Sequence, residues 1–150
     1  MDLKIRPDRS FDIRSKAILE QQSKGGATRL NELVYKYTKS IIKKKAKKFD
    51  VTSIKVKGRR AQLGSCYGNA AELCSDKEWE YVEGIAVKKN TGQVFCHAWN
   101  IDENGRVVDV TFNDAHFYDY YGIVIPFGLV FQIGQRVGGI WYCSLPYLKI

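Results

Sequence analysis

The sequence has no uninterrupted apolar run of about 18 residues, which is the length that a membrane-spanning helix requires. We therefore expect no membrane span and no membrane partner. The first seven residues also lack the apolar segment of a signal peptide. Both absences favour a cytoplasmic protein, and the 45% of hydrophobic residues in this chain of 150 residues are enough for the core of one domain.

Closely spaced cysteine pairs are absent as well. The four cysteines, Cys66, Cys74, Cys96 and Cys143, include no C-x-x-C pair, which is the usual ligand spacing of a structural zinc site. Cys96 and His97 are adjacent, so on a strand their side chains point to opposite faces and do not easily share an ion. We predict reduced thiols, of which at least one is free to react, and neither a metal nor another cofactor.

Acidic residues are scarce in the first part of the chain. Residues 1–60 hold 18 Lys and Arg against 6 Asp and Glu, a net +12, so residues 61–150 carry −4 of the total +8. This asymmetry favours an anionic partner, either a nucleic acid or an acidic protein surface. The alternative is a solvated basic face that only aids solubility. The strongest basic run supplies the candidate anion-binding residues, which are Lys43, Lys44, Lys47 and Lys48.

Apolar residues recur at helical spacing between residues 27 and 48, and the lysines fall largely off that apolar stripe. We predict a helix at 27–48, a shorter helix at 13–22 and an edge strand at 51–57. Residues 1–60 are thus predicted to be the basic, helical part of a single domain that spans residues 1–150.

Strand and turn signals dominate the rest of the chain. Small and helix-compatible residues from Cys66 to Leu73 predict a helix. Alternating and apolar stretches, separated by turn residues, predict strands at 79–88, 93–101, 106–112, 122–133 and 137–144. The predicted fold class is therefore α+β, with N-terminal helices packed on an antiparallel β-sheet.

Three residues of this second part supply the groups of an activated cysteine nucleophile: Cys66, His97 and Asp109. Cys66 is predicted to lie in the first turn of its helix, after Ser65 near the N-cap. A helix N-terminus favours negative charge and presents free N–H groups, which suits an oxyanion. The alternative for Cys66 is a small buried hydrophobic residue. The other histidine, His116, lies outside the strand pattern and is assigned to the surface or to packing.

The hairpin between the predicted strands 93–101 and 106–112 decides whether His97 and Asp109 meet. Their positions sum to an even number, so they share a face only if directly paired positions also sum to an even number. A loop of three or five residues, with Gly105 in a bulge, satisfies this condition, whereas a two-residue turn does not. We predict the odd-length loop. The alternative for the pair is an ordinary cross-strand contact.

These residues and their neighbours resemble a known family. A cysteine at a helix start, then His97-Ala98-Trp99, then Asp109-Val110-Thr111, is similar to the transglutaminase-like group of the papain-like cysteine hydrolases. The likeness covers residues 64–125 and is closest to small phage and bacterial members, whose pattern also includes Tyr81-Val82-Glu83-Gly84 and Tyr120-Tyr121-Gly122. If a phage encodes the chain, the expected location is the host cytoplasm.

The resemblance implies a papain/transglutaminase-like core at 61–150, with Cys66, His97 and Asp109 as the catalytic triad. It also implies a protein or peptide substrate, and we assign Tyr67 and Trp99 to the substrate cleft. The chain departs from the family just after the cysteine, where Tyr67-Gly68-Asn69 replaces the usual aromatic or acidic residues. Gln62 is a candidate oxyanion donor, but its spacing differs from the papain-type glutamine, and the backbone N–H of Cys66 is the other candidate.

The sequence therefore predicts a cysteine-nucleophile hydrolase or acyl transferase that acts on a peptide or carboxamide bond. Water as the acceptor makes a thiol protease or amidase, and an amine makes a transferase. One alternative is a module that binds nucleic acid or an acidic protein through the basic helix, with an inactive triad. Another is a structural or inhibitory protein that docks through the same helix.

Overall fold

The computed structural model describes residues 3–5, 42–49, 65–139 and 143–149. These residues form an α+β fold around a five-stranded antiparallel sheet, so the predicted α+β class with an antiparallel sheet is confirmed. The predicted helix 13–22, the predicted strand 51–57 and Gln62 lie outside the described residues.

The sheet has the strand order β2-β6-β3-β4-β5 and is antiparallel throughout. Its strands are β2 (Lys47–Phe49), β3 (Glu80–Lys88), β4 (Val94–Ile101), β5 (Val107–Val108) and β6 (Tyr118–Ile125). Two short strands, β1 (Lys4–Ile5) and β7 (Leu148–Lys149), pair with each other in a separate ladder. The described helices are α1, known at residues 42–45, α2 (Cys66–Lys77) and α3 (Phe127–Val137).

The sheet is covered on both faces, because two hydrophobic clusters share its strands. One face carries Tyr81, Ala98 and Ile123, which pack with residues of α2 and α3. The other face carries Val82, Trp99 and Tyr120, which pack with Phe49 of β2 and with β5. The central strand β3 is therefore buried along most of its length, as expected for a strand between two packed layers. No helix in the described ranges is long and apolar enough to cross a membrane.

Two secondary-structure predictions need correction at their ends. The predicted helix 27–48 does not reach residue 48, because Lys47–Phe49 pair with β6 and bury Phe49 against Trp99. The predicted buried strand 122–133 is a strand only as far as Ile125. After Pro126 the chain turns into α3, whose buried Val130 and Ile133 stand at the three-residue spacing of one helix face.

The prediction of a strand at 137–144 also needs correction, because α3 extends to Val137. The helix ends at Val137 because Gly138 takes a positive φ of 96° and its amide closes the last turn on the Gly134 carbonyl. Residues 145–147 then form a 3₁₀ turn that leads into β7. The prediction of a strand was wrong here because the local chemistry at Pro126 and Gly138 sets the bounds of α3.

Candidate active site

Cys66 is the first residue of α2, as the sequence predicts, and Ser65 occupies the N-cap position. The first helical hydrogen bond runs from the Asn69 amide to the Ser65 carbonyl at 2.9 Å. The amides of residues 66–68 therefore precede the intrahelical ladder and point out of the helix start. Cys66 is buried, with 8% of its surface exposed.

His97 lies on β4 in a row with two glycines, Gly84 of β3 and Gly122 of β6. A Cβ added to Gly84 would come within 1.9 Å of the Tyr121 carbonyl oxygen, and one added to Gly122 within 2.6 Å of the Trp99 ring. Contacts below 3 Å of this kind force atoms to shift. Gly122 thus leaves room for the Trp99 ring, and Gly84 allows the close approach of the β6 backbone.

Two aromatic rings lie close to the imidazole of His97. Phe112 stacks on it with ring centroids 4.0 Å apart and an interplanar angle of 9°, and Trp99 lies at 6.1 Å and 26°. Trp99 is only 1% exposed and packs on Tyr120 and Phe49. The sequence assigned Trp99 to the substrate cleft, but the structure buries it in the core beside the imidazole.

Asp109 follows β5 directly and accepts four hydrogen bonds. Its Oδ2 accepts from His97 Nε2 and from the Tyr120 hydroxyl, both at 2.6 Å. Its Oδ1 accepts from the amides of Thr111 at 2.9 Å and Phe112 at 3.0 Å. These amide bonds turn the chain, which is why the predicted strand 106–112 ends at Val108.

The register of the hairpin is the predicted one. Asn100 pairs with Val108 and Ile101 with Val107, so paired positions sum to an even number. The Asp102 amide donates to the Arg106 carbonyl, which leaves a three-residue loop that ends at Gly105 with a φ of 76°. His97 and Asp109 therefore meet on one side of the sheet.

Opposing effects set the charges of this pair. Burial by itself would lower the pKa of His97, but the charge of Asp109 and its hydrogen bond, together with the Cys66 side chain, raise that pKa to about 9. Burial would raise the pKa of Asp109, but the His97 charge and the hydrogen bonds from His97, Tyr120 and the Phe112 amide bring it below the ordinary value. At neutral pH the pair is an imidazolium and a carboxylate.

The sulfur of Cys66 adjoins the side of the ring that Asp109 leaves free. The Cys66 side chain contributes to the raised pKa of His97, which places the two groups next to each other. Asp109 occupies Nε2, so the nitrogen left for the sulfur is Nδ1. β5 pairs with β4 only at Asn100 and Ile101, and in the described part of the chain no strand lies beside His97 on that edge.

Comparison with protein-family models, with curated proteins and with solved structures gave no significant match. The interpretation of the site therefore depends on its geometry and its chemistry.

The other predicted site residues lie in different surroundings. Tyr67 is half-buried. Burial, followed by the nearby Cys143 and Cys66, raises the pKa of its hydroxyl well above the ordinary value.

Among the described residues no group of three His, Cys, Asp or Glu side chains is arranged to hold a metal ion.

The four candidate anion-binding lysines do not lie on one helix. Lys43 and Lys44 are exposed on α1, whereas Lys47 and Lys48 belong to β2, where neighbouring side chains alternate between faces. Two of them already have partners. Lys47 Nζ lies 5.0 Å from the centre of the Phe49 ring. Lys48 Nζ lies 3.4 Å from Asp119 Oδ1.

Sequence reasoning missed three residues that hold the site together: Tyr120, Phe112 and Asn69. Asn69 Nδ2 donates to Thr111 Oγ1 at 3.0 Å, which ties α2 to the turn that carries Asp109. A second bond, from Asn100 Nδ2 to the Ala70 carbonyl at 2.8 Å, ties α2 to β4. Asn69 stands one helical turn after Cys66, and this spacing is the one signal that could have indicated its role.

The buried ion pair makes stability depend on pH. The pKa of His97 is about 9 in the folded protein and about 6.5 in an unfolded chain, so its contribution is full below pH 6.5 and is lost as the pH rises through 9. We expect the free energy of unfolding of the protein, relative to His97→Gln, to fall by about 3 kcal/mol between pH 6 and pH 9.5. Urea unfolding at several pH values measures this, and parallel pH curves for the two proteins would contradict it.

Proposed function

We propose that the protein is a cysteine-nucleophile hydrolase or acyl transferase in which Cys66, His97 and Asp109 act as nucleophile, base and orienting carboxylate. The observation that carries the proposal is the position of His97, with Asp109 on Nε2 and Cys66 beside the rest of the ring. Packing of a hydrophobic core does not require a thiol, an imidazole and a carboxylate to lie in sequence. An activated thiol requires all three, as nucleophile, base and orienting group.

In the proposed mechanism the Cys66 thiolate, paired with the imidazolium, attacks the carbonyl carbon of a peptide or carboxamide bond. The developing oxyanion is received by amides at the start of α2, among them that of Cys66, an interaction worth about 3 kcal/mol of barrier. His97 gives its proton to the departing nitrogen, and a thioester remains on the sulfur. Water or an amine then attacks the thioester while His97 takes up the proton of that attacking group.

Asp109 keeps the ring in the tautomer and the orientation that this sequence of proton transfers needs. Because Thr111, Phe112 and Tyr120 all donate to the carboxylate, Asp109 itself has little freedom to move. The resemblance of the sequence to transglutaminase-like cysteine hydrolases supports the same roles. A papain/transglutaminase-like core, a protein or peptide substrate and a cytoplasmic location belong to this proposal.

Binding of nucleic acid or of an acidic protein, with an inactive triad, is the less supported function. The lysines that would carry it divide between a helix and a strand, and Lys48 is paired with Asp119. The binding function would be favoured if the protein is retained on DNA or RNA and this retention falls with rising salt. Retention should then be lost when four lysines are replaced by Gln, namely Lys43, Lys44, Lys47 and Lys48. No cysteine should then be alkylated faster than the others.

Selective alkylation of the four cysteines tests the proposed chemistry. Burial and the charge of Glu80 raise the pKa of Cys74 to about 11, and burial and Glu83 raise the pKa of Cys143 well above its ordinary value, so both react slowly. With iodoacetamide at pH 7.5, read by peptide mapping, we expect Cys66 to be modified at least about tenfold faster than the other three.

The control is His97→Ala, which is expected to remove the selectivity, with Cys96→Ser as a matched variant that preserves it. Equal, slow modification of all four cysteines in the unmodified protein would contradict the proposed function. A thiol-directed probe followed by panels of peptides and glutamine amides then separates hydrolysis from transfer.

A further inference from the structure

An open groove lies at the end of α2 that is farther from Cys66. Its volume is about 450 Å³, which is within the range of pockets that hold a ligand. The lining of this α2–α3 groove includes Leu3, Glu78, Trp79, Glu80, Val124 and Phe127. Because a helix rises by about 1.5 Å per residue, the two ends of α2 are roughly 17 Å apart, and the groove is separate from the proposed triad.

The apolar part of the lining includes two aromatic side chains, Trp79 and Phe127, which are both half-buried. Trp79 Nε1 donates to the Glu103 carboxylate in the β4–β5 hairpin loop, and this bond restricts the indole ring before any ligand binds. The Phe127 ring lies 6.5 Å from that of Phe131, which is 50% exposed, so apolar surface continues along α3 beyond the groove. A surface of this length suits a segment of polypeptide better than a small molecule.

The charged part of the lining is acidic. It contains the exposed side chains of Glu78 and Glu80, and among the described residues that line the groove there is no Lys, Arg or His. No salt bridge within the described ranges involves either carboxylate. Both residues lie within three positions of the end of α2, where the helix dipole is negative. A cationic ligand is therefore favoured, and the aromatic rings add a cation–π attraction.

Glu78 adopts a backbone conformation that suits glycine better. It ends α2 with a φ of 57° and a ψ of 28°, which is the left-handed region where glycine is the usual residue. Across the described residues it is the one non-glycine residue with a positive φ. Glutamate is thus not the residue that the turn favours, and it places a carboxylate at the groove.

We infer that the α2–α3 groove binds a basic segment of a partner protein, in which a Lys or Arg adjoins a large apolar residue. The ammonium or guanidinium group pairs with Glu78 and Glu80, and its aliphatic stem lies on the Trp79 ring. The neighbouring apolar side chain packs on Phe127 and removes its exposed part from water. The groove is a docking site at a distance from the sulfur, so the inference holds whether or not Cys66 is a nucleophile.

The test is fluorescence anisotropy of the full chain with four labelled peptides of otherwise neutral, polar sequence. Their central pairs are Lys-Phe, Lys-Ser, Glu-Phe and Glu-Ser. The Lys-Phe peptide is expected to bind about tenfold more tightly than each of the others, and its affinity should fall with rising salt. Cys66→Ser is expected to bind like the unmodified chain, because the groove lies at the other end of α2.

Glu78→Gly separates binding from folding. Glycine relieves the positive φ, so the urea midpoint should rise or stay unchanged, while the affinity for the Lys-Phe peptide falls about tenfold. Phe127→Ala should weaken binding by a similar factor. Glu72→Gln and Phe117→Ala are the matched controls, since both side chains are exposed outside the lining, and they should leave the affinity unchanged.

The inference is overturned if no peptide binds, or if the four peptides bind alike. It is also overturned if Glu78→Gly and Phe127→Ala keep the preference for the Lys-Phe peptide. None of these results changes the expected alkylation of Cys66, so the proposed function is judged by its own test.

Discussion

Asp109→Asn is expected to lower kcat/KM for any substrate of the protein by roughly 10³- to 10⁴-fold. The asparagine oxygen can still accept from the amides of Thr111 and Phe112, so the turn is retained. Its amide nitrogen then faces His97 Nε2, and two donors oppose each other. The ring is driven to the wrong tautomer and loses the negative charge that raises its pKa.

The pH profile gives a second measurement for the same variant. Asp109 is the main group that raises the pKa of His97 to about 9, so in Asp109→Asn the basic limb of the remaining activity should move to lower pH. Asp114→Asn is the matched control, since Asp114 stands at the N-cap position of the 3₁₀ turn Ala115–Phe117 and its side chain makes no capping bond. Activity within a few-fold of the unmodified protein, with an unshifted profile, would show that Asp109 only supports the fold.

Glu83→Ala is expected to lower the free energy of unfolding by about 3 to 5 kcal/mol. The Glu83 carboxylate is fully buried on β3 and accepts from the Tyr81 hydroxyl at 2.6 Å, the Ser144 amide at 2.8 Å, the Leu145 amide at 3.0 Å and the Cys143 thiol at 3.1 Å. Removing the acceptor leaves several buried donors without a partner, and each costs its desolvation energy.

Burial raises the pKa of Glu83, although the donors around the carboxylate oppose this rise. Denaturant unfolding of the purified variants measures the stability change. Glu80→Ala is the matched control on the same strand, where the side chain is exposed, and should change stability by less than about 0.5 kcal/mol. A loss below about 1 kcal/mol in Glu83→Ala would mean that the carboxylate holds residues 143–145 without stabilising the domain.

The Glu83 network also brings C-terminal residues close to Tyr67, the residue after Cys66. A hydrogen bond with Tyr67 lowers the pKa of Cys143 against the larger raising effects of burial and Glu83, so the residue after Cys66 contacts the same network. The sequence places Glu83 in a predicted strand but does not indicate that residues 143–145 lie beside its carboxylate. Contacts across sixty residues of chain have no local signal, so sequence reasoning missed this second polar cluster.

The site residues that could be predicted are those whose positions depend on local secondary structure. Helical composition after Ser65 placed Cys66 at a helix start, and the parity of the hairpin placed His97 and Asp109 on one face. The end of β5 was not predictable, because it depends on the Asp109 carboxylate accepting the Thr111 and Phe112 amides. The extent of α3 was missed for a related reason, since an apolar run alone does not distinguish a buried strand from a buried helix.

The sequence by itself predicted the register of the β4–β5 hairpin, the α+β class and the presence of a thiol, an imidazole and a carboxylate in elements that neighbour one another. These follow from side-chain period and turn chemistry, which act over a few residues. Only the tertiary structure decided that Tyr120 and Phe112 complete the surroundings of His97 and that Trp99 is buried beside its ring. Packing between distant strands set those contacts, because close-packed side chains choose their neighbours by shape and burial and not by their distance along the chain.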